Sequence, residues 1–341
     1  MTKLCQVRIN DETFAAHQGD LLLDAALMNG IEVPHDCRSG YCGTCKVRVL
    51  GGHTFGGASP DGLVHACQAR VISDLRVAIE DRPPAAEVQG RVETLTQIAP
   101  DVFEVCIAPQ QTFGYLPGQY VSVQFRGYPA RHYSPTAPLD AREPRDVLRF
   151  HVRTFARGRV SSALGRGIRP GHRAKLTGPH GAAYFRPRNA SRFVLVASGT
   201  GFAPIWSVAD AAMREWPERE LSLIAGGRTL QSLYMIPALC QLAHGPRVTI
   251  TLTASQRQNF TRAVRLGRPT DWLPPLRADD LVYAAGAPAM VDAVIEAARA
   301  AGATCFADPF APADAWQEPT LLERAAGWFA PRARAEARIT P

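Results

Sequence analysis

Hydrophobic and polar positions change their spacing along the chain, and the first of three patterns ends near residue 80. Runs that alternate apolar and polar residues, such as the run from Cys5 to Ile9, predict half-buried strands. A helix is predicted over Leu21–Asn29, with Asp20 as its N-cap. Strands on both sides of a single helix predict a small mixed sheet that packs against that helix.

The second pattern is rich in strands and follows a proline-containing linker at residues 81–88. From Gly90 to about Pro187, short alternating runs are separated by turn residues, and the run from Phe103 to Ile107 is one example. Strands of this kind with turns between them predict an antiparallel β-barrel.

In the third pattern, which begins at Arg192, near-continuous apolar strands alternate with helical stretches. The predicted strands are Phe193–Ala197, Leu221–Ala225, Val248–Leu252 and Leu281–Ala285, and the predicted helices are Ala203–Trp216, Ser232–Ala243 and Pro288–Ala301. This alternation predicts a doubly wound parallel sheet. We therefore expect a multidomain chain with α+β and α/β parts. Its predicted domains are residues 1–82, 88–188 and 189–311, followed by an unpatterned, disordered tail at 312–341.

Composition favours an ordinary soluble globular protein of the cytoplasm. The chain has 46% hydrophobic and 20% charged residues, no run near the ~20 apolar residues of a membrane span, and no apolar signal region. Four of its eight cysteines are scattered, which argues against a disulfide scaffold; these are Cys5, Cys106, Cys240 and Cys305.

The net charge of +7 is unevenly distributed. Residues 1–80 hold 7 Lys/Arg and 9 Asp/Glu, a net −2; subtraction from the totals of 38 and 31 leaves 31 and 22, or +9, for residues 81–341. A basic body beside a slightly acidic first unit suits phosphate-bearing cofactors or an acidic protein partner. No Lys/Arg block or aromatic-basic interleaving appears, so nucleic acid is not an expected partner.

The strongest chemical signal is a cysteine-rich loop in the first unit. Its C-x4-C-x2-C spacing with a distant fourth cysteine is typical of a plant-type [2Fe–2S] cluster, and the predicted ligands are Cys37, Cys42, Cys45 and Cys67. Gly40 and Gly43 allow the backbone to wrap around such a cluster. A structural zinc site or a disulfide pair is the alternative, although zinc usually takes C-x2-C pairs.

Two glycine turns indicate a dinucleotide site in the third unit. The turn Gly199-Thr200-Gly201, followed by Pro204, joins a strand to a helix, where backbone N–H groups can bind a pyrophosphate. The motif alone is weak, because a tight strand–helix turn looks the same. A second turn runs from Gly286 to Pro288 at the edge of the sheet where such folds bind ligands.

In the barrel region, Arg131-His-Tyr133-Ser134 combines a phosphate-binding cation, an aromatic ring and a hydroxyl. Alternate residues of a strand share a face, so Arg131 and Tyr133 can contact one ligand. Taken alone, this tetrapeptide also fits a polar strand end.

These motifs, in this order, resemble the ferredoxin–NADP reductase superfamily over about Leu4 to Phe310. The resemblance is to reductase components of bacterial aromatic-ring-hydroxylating dioxygenases of the naphthalene dioxygenase reductase type. It implies a β-grasp ferredoxin domain, an antiparallel β-barrel flavin domain and a doubly wound parallel-sheet nicotinamide-binding domain.

The resemblance also implies roles for individual residues in binding FAD. Arg131 takes the FAD pyrophosphate, Tyr133 stacks on the isoalloxazine, and Ser134 lies near its reactive nitrogen. The next FAD strand is His151, Val152 and Arg153, and the phosphate turn runs from Gly158 to Ser161. For His151, a strand residue satisfied by its neighbours is an equal alternative.

The resemblance assigns the dinucleotide site to the third unit. The family's loop corresponds to Gly199, Thr200, Gly201 and Pro204, with Arg228 at a ribose or phosphate contact and Gly286 and Pro288 in the second turn. Phe310 corresponds to the aromatic residue near the flavin face, and a core or surface phenylalanine is the alternative.

Three departures from the family pattern affect these expectations. Ala285 replaces a frequent cysteine, which leaves the efficiency of hydride transfer open, and the short loop from Cys45 to Cys67 predicts a more exposed cluster. No acidic residue follows the strand that ends at Ala225, so NADH is favoured over NADPH only by resemblance.

The expected activity is NAD(P)H-dependent electron transfer. Hydride would pass to FAD, and single electrons would pass through the cluster to a ferredoxin or terminal oxygenase. This partner is expected to contact Arg38, Ser39 and Tyr41. The reductase itself is expected to be a monomer. The same machinery could serve a diiron monooxygenase or a sugar-deoxygenating dehydratase. The alternative from a different functional class is an iron–sulfur sensor protein without enzymatic activity.

Overall fold

The computed structural model of the chain describes residues 3–35, 37–40, 43–59, 62–80, 83–139, 146–186, 190–256 and 263–310. The predicted tail at 312–341, the predicted ligand Cys42 and Tyr41 of the predicted partner surface lie outside the described residues. In the part of the chain that is described, no helix is both long and apolar enough to cross a membrane.

The first unit is a mixed sheet packed on one helix. Its elements are β1 (Leu4–Ile9), β2 (Glu12–His17), α1 (Leu22–Met28), β3 (Lys46–Gly51), β4 (Thr54–Phe55), β5 (Val64–His65), β6 (Arg70–Val71) and β7 (Leu75–Ala78). The main sheet has the order β2-β1-β7-β3-β5, and only β1 and β7 pair in parallel. Leu22 and Leu23 of α1 are fully buried against Val7 and Val77, so burial of one apolar face holds the helix on the sheet.

The prediction that Asp20 caps this helix was wrong. Leu21 occupies the N-cap position without a side-chain bond, and the carboxylate of Asp20 accepts a hydrogen bond from the backbone N–H of His17 at 2.8 Å. Asp20 therefore closes the turn that follows β2, which is a second role that this residue type often takes.

The second unit is a curled, seven-stranded antiparallel sheet, as predicted. Its strands are β8 (Ala86–Ala99), β9 (Val102–Pro109), β10 (Tyr120–Phe125), β11 (Arg131–Tyr133), β12 (Pro135–Thr136), β13 (Leu148–Arg153) and β14 (Arg173–His180). They follow the order β11-β10-β14-β8-β9-β13-β12. Alternate residues such as Val105, Val123, Phe150 and Leu176 fill the inside of the curl.

The third unit is a six-stranded parallel sheet with helices on both faces, which confirms the predicted doubly wound fold. Its elements are β15 (Arg192–Ser198), α2 (Phe202–Glu215), β16 (Glu220–Gly227), α3 (Ile236–Leu242), β17 (Val248–Ala254), β18 (Val264–Leu266), β19 (Asp280–Gly286), α4 (Pro288–Ala300) and β20 (Thr304–Pro309). The strand order is β18-β17-β16-β15-β19-β20. α2 and α3 pack on one face and α4 on the other. Successive strands are added on one side of β15 up to β18 and then on its other side with β19 and β20, and this reversal of strand order places a crevice at the carboxyl ends of β15 and β19.

The helix predicted over Ser232–Ala243 is shorter than the sequence pattern suggests. Ser232 belongs to a separate 3₁₀ turn, in which its side chain and that of Thr229 bond each other's backbone N–H groups. The helix begins only at Ile236, because Pro237 fits the first turn of a helix but not its interior.

Candidate functional site

The two predicted glycine turns meet at the carboxyl ends of β15 and β19. A Cβ atom on Gly201 would lie 2.2 Å from the carbonyl oxygen of Ala285, and one on Gly286 would lie 2.4 Å from that of Ser198. The backbone N–H of Ala287 donates to the Ser198 hydroxyl at 2.9 Å. Each turn therefore fits against the other only without a side chain, and residues 199–201 lead directly into the N-terminus of α2.

Three further predicted residues lie at the same edge of the sheet. The backbone N–H of Phe310 donates to the carbonyl of Gly286 at 2.7 Å, and Pro288 opens α4. Arg228 is exposed just after β16. The parallel sheet thus gathers every residue that was predicted for the dinucleotide site along one edge.

A hydrogen bond joins this edge to the barrel. The buried hydroxyl of Ser134 donates to the carboxylate of Asp308 in β20, at 3.3 Å. Burial raises the pKa of Asp308 to about 7, and the bond from Ser134 acts in the opposite direction. Sequence reasoning did not select Asp308, although it lies two residues before the predicted Phe310.

Arg131 and Tyr133 occupy one face of β11, as their spacing predicts, and they pair with Val123 and Val121 of β10. The Tyr133 ring lies 6.2 Å from that of Phe150, and burial raises its pKa well above the usual range. Nearby in β12, Thr136 Oγ1 is buried with no hydrogen-bond partner among the described residues. Buried hydroxyl groups almost always have a hydrogen-bond partner, so the unpaired hydroxyl of Thr136 is consistent with a bound ligand at this place.

Strand β13 separates its three predicted residues between two faces. Val152 points into the barrel core, so only its backbone is left for a ligand. Arg153 lies on the opposite face, 3.1 Å from the Asp101 carboxylate, and its guanidinium approaches within 3.1 Å of the Cβ position of Gly199. Arg153 therefore faces the first glycine turn.

His151 lies on that same face and is satisfied by its neighbours, as the alternative for this residue expected. Its Nδ1 and the hydroxyl of Tyr234 are 3.2 Å apart, and its Nε2 lies 3.5 Å from Glu104. The bond from His151 is the main cause that lowers the pKa of Glu104. Sequence reasoning missed Tyr234, which links the third unit to the barrel, because no motif singles it out.

The predicted phosphate turn closes on itself. Ser161 accepts a hydrogen bond from the backbone N–H of Phe155 at 3.1 Å, and a Cβ on Gly158 would lie 2.3 Å from the Ser161 hydroxyl. The turn opens a short 3₁₀ helix at Ser161–Ala163.

The cysteine loop brings together the described thiols. Cys45 and Cys67 are buried and Cys37 is partly exposed. The pKa of Cys67 is lowered to about 7, chiefly by a hydrogen bond with Cys45. The backbone N–H of Ser39 points at the sulfur of Cys37, 3.4 Å away. With Cys42 outside them, the described residues contain no group of three or more metal-ligating side chains.

Backbone geometry explains why this loop contains glycines. Gly40 and Gly43 have φ values of +76° and +70°, and Arg38 also lies in the left-handed region at +55°. These turns aim N–H groups inward, and N–H groups directed at sulfurs are typical of iron–sulfur ligation. The loop therefore fits a cluster.

Comparison with known proteins agrees with these three units. Residues 6–71 match the family model of the 2Fe-2S iron-sulfur cluster binding domain, residues 89–185 that of the oxidoreductase FAD-binding domain, and residues 195–296 that of the oxidoreductase NAD-binding domain. The electron transfer component of a xylene/toluene monooxygenase from Pseudomonas putida is 30% identical over 82% of this chain and 85% of its own length. The chain belongs to the family of iron–sulfur flavoprotein reductases. The reductase therefore has domains for a [2Fe–2S] cluster, FAD and a nicotinamide dinucleotide, as the sequence predicted.

Two other relatives extend over most of the reductase. The ferredoxin–NAD(P)+ reductase component of a naphthalene 1,2-dioxygenase system from Pseudomonas putida is 29% identical over 90% of this chain and 98% of its own length. The crystal structure of a cytochrome P450 reductase from Amycolatopsis is 29% identical, covers 90% of this chain and 99% of its own, and has a TM-score of 0.67. The family resemblance stated from the motifs is confirmed.

Proposed function

We propose that the reductase transfers hydride from NAD(P)H to FAD and passes single electrons through its cluster to the ferredoxin or terminal oxygenase of an aromatic-ring-hydroxylating dioxygenase. The observation that carries this proposal is that all three units meet. The glycine edge contacts the barrel through Ser134 and Asp308, and the cysteine loop contacts the barrel through Thr44 and Gly181. FAD supplies a two-electron acceptor that can release electrons one at a time, which suits a cluster that carries one.

In this proposal the barrel holds FAD through three residues of one segment. Arg131 binds the pyrophosphate, Tyr133 stacks on the isoalloxazine, and Ser134 lies near the reactive nitrogen. The position of Ser134 supports the last assignment, because its hydrogen bond to Asp308 holds it where the barrel meets the glycine edge. Backbone groups of β13 and the Gly158–Ser161 turn complete the site.

The third unit binds the dinucleotide at its glycine edge. The N–H groups of residues 199–201 and the N-terminus of α2 bind the pyrophosphate, while Arg228 contacts a ribose or phosphate. Phe310 and the turn from Gly286 to Pro288 border the nicotinamide. NADH is the proposed donor and NADPH the alternative.

In this proposal the four predicted cysteines bind the cluster. The proposed domains of the reductase are residues 1–82, 88–188 and 189–311. Arg38, Ser39 and Tyr41 form the proposed exit for electrons. Exposure supports this exit, because Cys37 is partly exposed and Ser39 is exposed. The other end of the cysteine loop, at Thr44, is buried. We also propose that the reductase is cytoplasmic, because its scattered cysteines argue against a disulfide scaffold, and that it is a monomer.

Anaerobic visible spectroscopy tests the proposed function. When NADH is added, the flavin and iron–sulfur bands should both bleach. Cluster bands without flavin bands would instead indicate a non-enzymatic sensor and would overturn the proposal.

Substitution of one cluster ligand separates the reduction of FAD from the delivery of electrons through the cluster. In Cys42→Ser, NADH should still reduce FAD and ferricyanide, while delivery to a protein acceptor fails. Cys240→Ser is the matched control, because Cys240 is exposed on α3, away from the cluster. Unimpaired delivery by Cys42→Ser would contradict the electron path.

A panel of acceptors tests the dioxygenase assignment. Reduction by NADH should be fastest with the ferredoxin or oxygenase component of an aromatic-ring-hydroxylating dioxygenase. Faster reduction of a diiron monooxygenase or of a sugar-deoxygenating dehydratase would replace that assignment. The relation to a monooxygenase electron transfer component keeps the first of these as the second candidate.

A further inference from the structure

One short segment of the barrel touches both of the other units. We define the bridging segment as residues 180–186, which begins at the last residue of β14. At its first end, the backbone N–H of Gly181 donates to the hydroxyl of Thr44 at 3.0 Å, beside the proposed ligand Cys45. A Cβ on Gly43 would lie only 3.0 Å from that of Ala182. The cysteine loop therefore rests directly on this segment.

At its other end, the bridging segment holds a carboxylate of the first unit. Glu80 Oε2 accepts hydrogen bonds from Arg186 Nε at 3.0 Å, from Arg186 Nη2 at 2.5 Å and from the Tyr184 hydroxyl at 2.7 Å. Three donors on one carboxylate oxygen, two of them from a guanidinium, form a strong and geometrically specific contact.

Arg186 is also fixed from the side of the parallel sheet. Its guanidinium carbon lies 3.6 Å from the centre of the Tyr184 ring and 4.1 Å from that of Phe306. Its backbone N–H donates to the Tyr283 hydroxyl at 3.1 Å. The Arg186 side chain is only 7% exposed, so its orientation is set by all three units.

From this contact set we propose that Arg186 is a positioning residue for electron transfer from flavin to cluster. By binding Glu80, it holds the first unit in one docked orientation, in which Thr44 stays on Gly181 and Cys45 stays beside the barrel. Electron transfer rates fall steeply with distance, so a fixed orientation sets the rate of this step. The inference rests on the proposed function.

The test compares two substitutions at the same carboxylate. Glu80→Gln keeps the size and a hydrogen-bond acceptor but removes the charge that Arg186 binds. The matched control is Arg48→Gln, because Arg48 lies 3.5 Å from the other oxygen of Glu80 but belongs to β3 of the first unit. The control therefore removes an ion pair of Glu80 without touching the interface.

Hydrogen–deuterium exchange of the full-length protein measures directly how firmly the first unit is docked on the barrel. In Glu80→Gln, amides at residues 43–46 and 180–186 should exchange at least about tenfold faster, because the buried Arg186 keeps its charge and loses the carboxylate that balances it. Arg48→Gln should exchange as the wild-type protein does. Equal exchange in Glu80→Gln and in the wild type would overturn the proposal.

Stopped-flow spectroscopy supplies a second readout, which a merely structural role would not separate. In Glu80→Gln, flavin reduction by NADH should keep its rate and the cluster its absorption bands, while cluster reduction slows because the first unit is no longer held in its docked orientation. Equal slowing of both steps would overturn the positioning role. If NADH fails to reduce the wild-type flavin, the proposed function falls, and the exchange measurement still tests docking.

Discussion

Ser134 donates a hydrogen bond to Asp308, and this 3.3 Å contact joins the barrel to the last strand of the parallel sheet. The carboxyl is partly buried at this contact, and desolvation raises its pKa from 3.8 to about 7. A carboxyl that holds its proton near neutral pH makes the stability of the protein depend on pH.

The substitution Asp308→Asn should remove this dependence in the flavin-free protein. Between about pH 4 and pH 7 the unfolded chain has already lost the proton of Asp308 while the folded protein keeps it, so wild-type stability falls as pH rises. Above pH 7 both states are ionised and the loss is constant. Asparagine stays neutral and avoids it.

Urea unfolding at pH 5 and pH 8 measures the effect. At pH 8, Asp308→Asn should be more stable than the wild type by about 2 kcal/mol, after a discount for partial exposure. At pH 5 the gap should be smaller. An equal gap at both pH values would contradict the raised pKa of Asp308.

The substitution Gly201→Ala should disrupt the glycine edge. The added Cβ would lie 2.2 Å from the Ala285 carbonyl, so the two turns must separate. We expect a loss of about 1–3 kcal/mol in thermal unfolding, typical of overpacking, and weaker binding of NADH in a titration. Gly114→Ala is the control, because its Cβ would meet Pro83 at an ordinary 3.5 Å. Similar losses in both variants would contradict this account of the interlocked turns.

Local signals were sufficient to predict the three folds and the meeting of the two glycine turns. The apolar strands β15 and β19 read as buried parallel strands, and the turns that follow such strands must lie at one edge. The helix cap at Asp20 could not be predicted in the same way, because the same carboxylate can also close the turn after β2.

Contacts between distant residues could not be predicted from the sequence. Glu80 and Arg186 are 106 residues apart, and Ser134 and Asp308 are 174 apart. No periodicity links such positions, because their contact depends on how complete domains pack. Asp308 lies only two residues before Phe310, yet only the fold shows that its carboxylate reaches Ser134.

The substitution Glu104→Gln should lower stability at neutral pH but not in acid. The bond with His151 is the main cause that lowers the pKa of Glu104 from 4.5, so the carboxylate contributes stability above that pH and loses it as pH falls through the lowered pKa. We expect a loss of about 1 kcal/mol at pH 7 that disappears in strong acid. The control is Glu87→Gln, whose exposed pair with Lys175 should contribute little at either pH. A constant loss at all pH values would contradict the role of the charge.

The pair Arg192 and Asp280 should be essential for the parallel sheet. Arg192 begins β15 and donates from Nε at 3.0 Å and from Nη2 at 2.6 Å to the carboxylate of Asp280, directly opposite in β19. The side chains are 5% and 0% exposed, and the pKa of Arg192 is raised, chiefly by this bond. Asp280→Asn would leave the arginine charged and buried, with only the partly exposed Glu220 carboxylate, 3.6 Å from its Nη1, as a counter-charge.

We expect Asp280→Asn to cost about 3 kcal/mol, because a buried charge that keeps only a distant, half-exposed counter-charge is far more unfavourable than a lost surface pair. Glu296→Gln is the control: its partner Arg299 is 66% exposed, and the loss should stay below about 0.5 kcal/mol. Thermal unfolding at low and high salt would compare the two. Salt should leave the Asp280→Asn loss nearly unchanged, since buried pairs are weakly screened. A small or strongly salt-dependent loss would mean that water reaches Arg192 in the folded sheet.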